Sequence, residues 1–315
     1  MNQPEQNAAP AGGRTAVGVI GLGAMGLPMA LRLVDAEFSV LGWNRSQEPR
    51  NVLAARGGRA VEEPREIVAP TILSILPDVD QLESLLEGPA GLLAGLETAR
   101  AAGEGHDVVR LIVMSTTSPE KVQALANKLK PRRIHVLDAP VSGGDRGAQQ
   151  GTLSIMVGGE DADVREVMPI LELMGTLIEH MGPVGSGSMA KLCNQIVVAG
   201  NLTATAEALM VAESAGLDMS TMVRLFGNGL SRSGVLELKA DKWLSGRYAI
   251  GGSAKNQLKD LHYLAQELDR MNLDAPVARL LTHTFERIVD VGWGDYDHAV
   301  VLELLRGATS TFPKH

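Results

Sequence analysis

The 315-residue sequence holds a single cysteine, Cys193, so no intramolecular disulfide is available and a reducing, cytoplasmic setting is expected. It has no sustained run of lysine and arginine, and its formal net charge of -8 repels nucleic acid and anionic membrane surfaces. Residues 1–13 lack the charged start and apolar core of a signal peptide; they are polar and small, and read as a disordered leader. One uncharged stretch, Leu192 to Ala206, is interrupted by Asn194, Gln195, Asn201, Thr203 and Thr205. That is too short and too polar to span a bilayer, so a helix buried inside protein is expected. Neither a nucleic-acid partner nor a membrane is therefore expected.

What the sequence does contain is an ordinary globular balance, 45% hydrophobic and 21% charged, over a length that suits two domains. From residue 14 to about Gly182, short apolar runs alternate with amphipathic helical patterns. The runs are Ala16–Ile20, Phe38–Trp43, Thr71–Leu76, Val108–Met114 and Ile134–Leu137; the helices include Gly26–Ala36, Gln81–Leu86 and Pro119–Lys130. This alternation predicts a doubly wound α/β domain with a parallel sheet covered on both faces. Leu153–Val157 and Leu177–His180 are expected to extend the sheet at one edge, flanking a helix over Ala162–Met174. From residue 183 to 315 the strand signal is gone. Gly185-Ser186-Gly187-Ser188 is expected to end the sheet-forming part. A long helix from Met189 to about Ala215 then opens an all-helical second domain, with further helices near Met219–Phe226, Leu258–Met271, Pro276–Val291 and Ala299–Leu305.

Val17 to Gly26 reads as a strand entering Gly21-Leu22-Gly23-Ala24-Met25-Gly26 and then a helix. Gly21 suits a tight turn, Gly23 lets the backbone approach a pyrophosphate, and Gly26 allows close helix–sheet packing. The free N–H groups of the helix N-terminus complete an anion site. An acidic residue at the end of the second strand would bind the ribose of NAD and repel a 2′-phosphate. The chain has Asn44-Arg45-Ser46 instead, which favours NADP over NAD. The alternative for Arg45 is an ordinary surface residue after a strand.

Asp138-Ala139-Pro140-Val141-Ser142-Gly143-Gly144 follows a strand end, where open α/β sheets place ligands. Ser142, Gly143 and Gly144 leave backbone N–H groups for a small carboxylate, although such a segment is also a plain turn. Lys191, Asn194 and Gln195 stand at i, i+3 and i+4, on one face of the helix leaving the dinucleotide domain. A lysine there is partly desolvated, its pKa falls, and it is suited to exchange a proton with a substrate hydroxyl, with Asn194 holding the oxygen. Cys193 faces elsewhere and is expected in the core. Lys259-Asp260 by itself reads as a solvated surface pair.

Together these motifs resemble the β-hydroxyacid dehydrogenase family, in order and from about Thr15 to Leu305. The resemblance implies that Lys191 is the general acid/base, that Ser142, Gly143, Gly144 and Asn194 bind substrate, and that Lys259 reaches cofactor or substrate from the helical domain. It adds Leu76, Pro77 and Thr116 on the nicotinamide side, a small-molecule carboxylate substrate, and a homodimer or homotetramer. The sequence departs from the family before the Lys-Asp pair, where an aromatic residue often faces the active site. Here that region is Gly251-Gly252-Ser253-Ala254, an exchange that enlarges or loosens the pocket. Two other readings remain. A non-catalytic dinucleotide binder would not need Lys191 aligned with Asn194, and imine reductases on the same fold replace that lysine. A sugar-acid reductase of the 6-phosphogluconate type would need a larger helical domain.

Overall fold

The computed structural model describes residues 15–249 and 251–308; the expected leader lies outside them. In the first half, β1 (Ala16–Ile20), α1 (Gly26–Asp35), β2 (Ser39–Trp43), α2 (Gln47–Ala55), β3 (Arg59–Ala60) and β4 (Thr71–Ser74) are followed by α3 (Val79–Leu86), α4 (Leu92–Ala101), β5 (Val109–Val113), α5 (Pro119–Leu129) and β6 (Ile134–Asp138). β7 (Val141–Ser142), α6 (Gly144–Gln150), β8 (Leu153–Gly158), α7 (Asp161–Leu171) and β9 (Gly175–Gly182) complete it. The helical half comprises α8 (Ser186–Ser214), α9 (Met219–Asn228), α10 (Gly234–Ser245), α11 (Ala254–Met271), α12 (Pro276–Asp290), a 3-10 turn at His298–Val300 and α13 (Val301–Leu305).

The sheet runs β3-β2-β1-β4-β5-β6, all parallel, the doubly wound Rossmann order. Alternate residues supply its two cores. Val17, Val19, Leu73, Ile112 and Leu137 pack with α1, whereas Ile20, Ile72, Leu111 and Val136 pack with α3, α4 and α5. The edge differs from a purely parallel sheet: β8 pairs antiparallel with β6 and β7, and β9 parallel with β8. After β6 the chain continues through Pro140 to β7, α6 reverses it, and Met156 N–H donates to Pro140 O at 3.1 Å on the way back.

Helices α2, α4, α6 and α10 were not foreseen. α2 buries only Leu53, and α10 only Leu236 and Trp243, so neither carries a full apolar stripe. α4 contains Gly95, a weak helix former, because a Cβ there would lie 1.8 Å from Arg65 O.

The start and the burial of the long helix also need correction. Gly185-Ser186-Gly187-Ser188 does not precede the helix; Gly185 caps it with φ +98 and the helix begins at Ser186. Gly187 serves close approach rather than termination, since its Cβ would lie 2.2 Å from Met156 O. The 29 residues of α8 are long and apolar enough, by length and composition, to cross a membrane, and only 33% of its most apolar window is buried. One stripe, including Leu192, Ala199, Leu202, Ala206 and Leu209, forms the helical core with Trp243, Leu261, Phe285 and Leu302. Val197 and Val211 are exposed, so the helix is not enclosed on most sides.

Candidate active site

The glycine loop folds as its sequence requires. Gly21 has φ +97, and its N–H donates to Trp43 O at 2.9 Å. A Cβ on Gly26 would lie 1.9 Å from Gly21 O, so only glycine lets α1 start against the turn. A Cβ on Gly23 would meet nothing within 4 Å, so this backbone faces open space as a dinucleotide cradle must. Leu22 N–H donates to Asn44 Oδ1 at 3.0 Å, and Asn44 Nδ2 donates to Ser46 O at 3.2 Å. Asn44 therefore ties the loop to the end of β2, while Arg45 and Ser46 are exposed at the start of α2. Ala24 and Met25 lead into α1. These residues fit a bound dinucleotide.

Beside the glycine loop, where a Cβ on Gly21 would lie 3.1 Å from Leu76 Cδ2, a second group of residues is assembled from both halves of the chain. Lys259 on α11 donates to Thr116 O at 2.6 Å and to Pro77 O at 3.1 Å, which brings together Leu76, Pro77, Thr116 and Lys259. Ser115 Oγ donates to Leu76 O at 2.7 Å and fixes the two strand ends to each other. Lower on α11, Tyr263 hydrogen-bonds Asp78 and Lys121 donates to the Tyr263 hydroxyl at 3.4 Å. Burial first, then the Asp78 contact, push the Tyr263 phenol up to about 12, so it remains a neutral donor.

At the centre is Lys191, in the second turn of α8 and 7% exposed, with no hydrogen bond or ion pair among the described residues. Burial holds its ammonium below the usual lysine range; the Lys259 charge adds to this and Asp260 opposes it. Asp260, expected as half of a solvated pair, is 5% exposed. It accepts Gln195 Nε2 at 2.7 Å and lies 3.3 Å from Lys259 Nζ. Asn194 is half-buried beside Gln195, its Nδ2 3.4 Å from Gln195 Oε1. Cys193, expected in the core, is exposed because that side of α8 is uncovered.

Ser142 ends β7, and Gly143 and Gly144 follow with φ +133 and +62, exposed at the start of α6. The Asp138 role was missed. Its carboxylate, wholly buried, accepts Gly185 N–H at 2.7 Å and Ser188 N–H at 2.6 Å, capping the helix that carries Lys191. Gln195 and Asp260 were likewise unassigned, because their pairing joins residues 65 apart in sequence.

Comparisons with known proteins match both halves. A model described as the NAD binding domain of 6-phosphogluconate dehydrogenase matches residues 16–182. One described as NAD-binding of NADP-dependent 3-hydroxyisobutyrate dehydrogenase matches residues 185–305. The chain is 31% identical over 291 residues to 2-(hydroxymethyl)glutarate dehydrogenase of Eubacterium barkeri, covering 91% of this chain and 94% of that protein. It is 32% identical over 291 residues to 2-hydroxy-3-oxopropionate reductase of Escherichia coli, covering 92% and 96%. The crystal structure of 3-hydroxyisobutyrate dehydrogenase from Salmonella typhimurium superposes with a TM-score of 0.83 at 25% identity, covering 92% of this chain and 99% of that one.

Proposed function

The chain belongs to the β-hydroxyacid dehydrogenase family, and on that premise we propose that it transfers hydride between NADP(H) and a small 3-hydroxy acid or its semialdehyde, with Lys191 moving the proton. The observation that carries this reading is a buried lysine whose amine has no partner among the described residues, beside the interdomain contact that Lys259 makes with Pro77 and Thr116. When bound, the nicotinamide supplies or accepts the hydride. In oxidation the neutral Lys191 amine accepts the hydroxyl proton; in reduction its ammonium returns it. Burial favours the neutral form and brings the pKa toward the working range. Asn194, on the same helix face, orients the reacting oxygen. The substrate carboxylate docks at Ser142, Gly143 and Gly144. Gly21 to Gly26 take the pyrophosphate, Leu76, Pro77, Thr116 and Lys259 border the nicotinamide, and Asn44, Arg45 and Ser46 read the 2′-phosphate.

The reading places the dinucleotide-binding domain at residues 14–182 and the helical domain at 183–315. The uncovered face of α8, with the adjoining apolar groove of Val211, Leu217, Met222 and Phe226, is assigned to a homodimer or homotetramer. A bilayer location for α8 is disfavoured, because it would strip Lys191 and Gln195 of the α11 side chains they face. Exposed, unpaired Cys193 supports a reducing, cytoplasmic setting.

The test is fluorescence titration with NADPH and NADH, followed by turnover of small 3-hydroxy acids and semialdehydes. Tight NADPH binding with turnover of a panel member is expected. Binding with no turnover would leave a dinucleotide binder and overturn the dehydrogenase assignment.

A further inference from the structure

Gly251 and Gly252 stand before α11, and the structure shows what lies against them. A Cβ on Gly252 would lie 3.0 Å from His298 Cε1, 3.3 Å from Nε2 and 3.5 Å from Nδ1. The imidazole therefore packs directly on the residue-252 backbone, in space that a side chain there would take. Its mounting is rigid. His298 N–H donates to Gly252 O at 2.8 Å, and Ser253 bridges Asp297. Asp297 is fully buried, 2.7 Å from Lys239 Nζ and 3.6 Å from Lys242 Nζ, and it caps Ala299 N–H at 3.0 Å.

Among the described residues the ring itself has no partner. Neither of its nitrogens forms a hydrogen bond among the described residues, and the residue is half-buried rather than enclosed. Burial first, then the Lys239 charge, hold the imidazole down at about 4, with Lys242 and Lys191 adding to the effect and Asp297 opposing it. At neutral pH the ring is uncharged, with one N–H to donate and one nitrogen to accept. The 3-10 turn that begins at His298 packs on both α8 and α11, the helices that carry Lys191 and Lys259, so the ring sits at the seam between them. Lys239 and Lys242 stand against the single Asp297 carboxylate and leave a positive surplus beside the ring.

We propose that His298 is a specificity-determining residue of the active site, donating a ring N–H to a second carboxylate of the substrate, so that a hydroxy acid or semialdehyde bearing two carboxylates is preferred. The inference rests on the assignment of the Lys191 cleft as the dehydrogenase site. The missing side chain at Gly252 gives the ring its room beside α11, the positive surplus favours an anion, and the ring N–H bonds a carboxylate with charge assistance. A monocarboxylate leaves the donor and the surrounding charge unanswered.

The experiment compares 2-(hydroxymethyl)glutarate with 3-hydroxyisobutyrate as substrates of the wild type, His298→Ala, His298→Asn and Gly252→Ala. Alongside it, calorimetry compares glutarate with butyrate as ligands of the NADPH-saturated protein. The wild type is expected to favour the two-carboxylate substrate by at least about tenfold in kcat/KM. His298→Ala should reduce that ratio about tenfold or more, through KM rather than kcat. His298→Asn, which keeps a donor, should recover part of it. Gly252→Ala, whose new Cβ presses on the ring, should lower the ratio with the imidazole intact; it and His298→Asn decide the matter where His298→Ala does not fold. Glutarate should bind more tightly than butyrate, and that margin should vanish in His298→Ala. Equal use of both substrates by the wild type, or a ratio unmoved in the variants, overturns the proposal. If neither substrate turns over, the dehydrogenase reading fails, while the glutarate–butyrate margin still decides whether His298 binds a second carboxylate.

Discussion

Asp138, the last residue of β6, accepts the backbone N–H of Ser188 at 2.6 Å across fifty residues of chain, so a sheet strand holds the first turn of the helix bearing Lys191. With the Gly185 N–H at 2.7 Å, each carboxylate oxygen takes one helix-terminal donor. Hydrogen bonds to a charged acceptor contribute about 1.5–3 kcal/mol each. Asp138→Ala should lower the unfolding free energy in urea by about 3 kcal/mol and reduce kcat by displacing Lys191. Asp138→Asn keeps one acceptor and should lose less. Full stability in Asp138→Ala would mean that the helix start is held by its glycine packing alone.

Lys191→Ala should cut kcat by about 10²–10⁴-fold, the range of a lost general acid/base. NADPH affinity, read by fluorescence titration, should remain within about threefold. A twofold loss of kcat would exclude the proton-transfer role.

Because burial lowers the Lys191 pKa, the pH profile has a defined sign. Oxidation needs the neutral amine, so its rate should rise with pH to a midpoint below the ordinary 10.5; reduction needs the ammonium and should fall over the same range. Between the folded and unfolded pKa values the unfolded chain binds more protons, so this group makes the fold more stable as pH rises. Rate profiles that lose their lysine limb in Lys191→Ala would confirm its origin; unchanged limbs would assign them elsewhere.

Asn44→Asp retains the oxygen that accepts Leu22 N–H at 3.0 Å and adds a negative charge beside the proposed 2′-phosphate position. NADPH should bind at least about tenfold more weakly and NADH no worse. Arg45→Glu should act in the same direction. Equal losses for both cofactors would remove Asn44 and Arg45 from 2′-phosphate recognition.

Val197 and Val211, 61% and 57% exposed on α8, lie on the face assigned to self-association. The double change to glutamate would bury two unpaired charges in that interface and should yield monomers in light scattering. A wild-type monomer, or an undisturbed oligomer in the variant, would remove α8 from the assembly.

The features legible in the sequence are those set by near neighbours. Gly21 and Gly26 are needed within one turn, and Lys191, Asn194 and Gln195 share a face because helix geometry places i, i+3 and i+4 together. Contacts between distant segments left no local pattern. Nothing near Asp138 indicates that its acceptors face Gly185 and Ser188, and nothing beside Lys259 indicates the carbonyls of Pro77 and Thr116. Cys193 shows the limit from the other side. Its turn away from Lys191 follows from spacing, but whether that side meets protein or solvent depends on how neighbouring helices are arranged.

Gly251 and Gly252 are adjacent, yet they have opposite prospects under mutation. A methyl group on Gly251 would sit 2.2 Å from Asp297 Oδ2, against a fully buried carboxylate held in place by Lys239 and by the Ala299 N–H. At Gly252 the obstacle is a half-buried ring that has somewhere to go. Drift is therefore closed at the first position and open at the second. A saturation library should return mostly unfolded protein at 251 and folded enzymes of altered appetite at 252, which makes that single codon the cheapest route by which this scaffold acquires a new substrate.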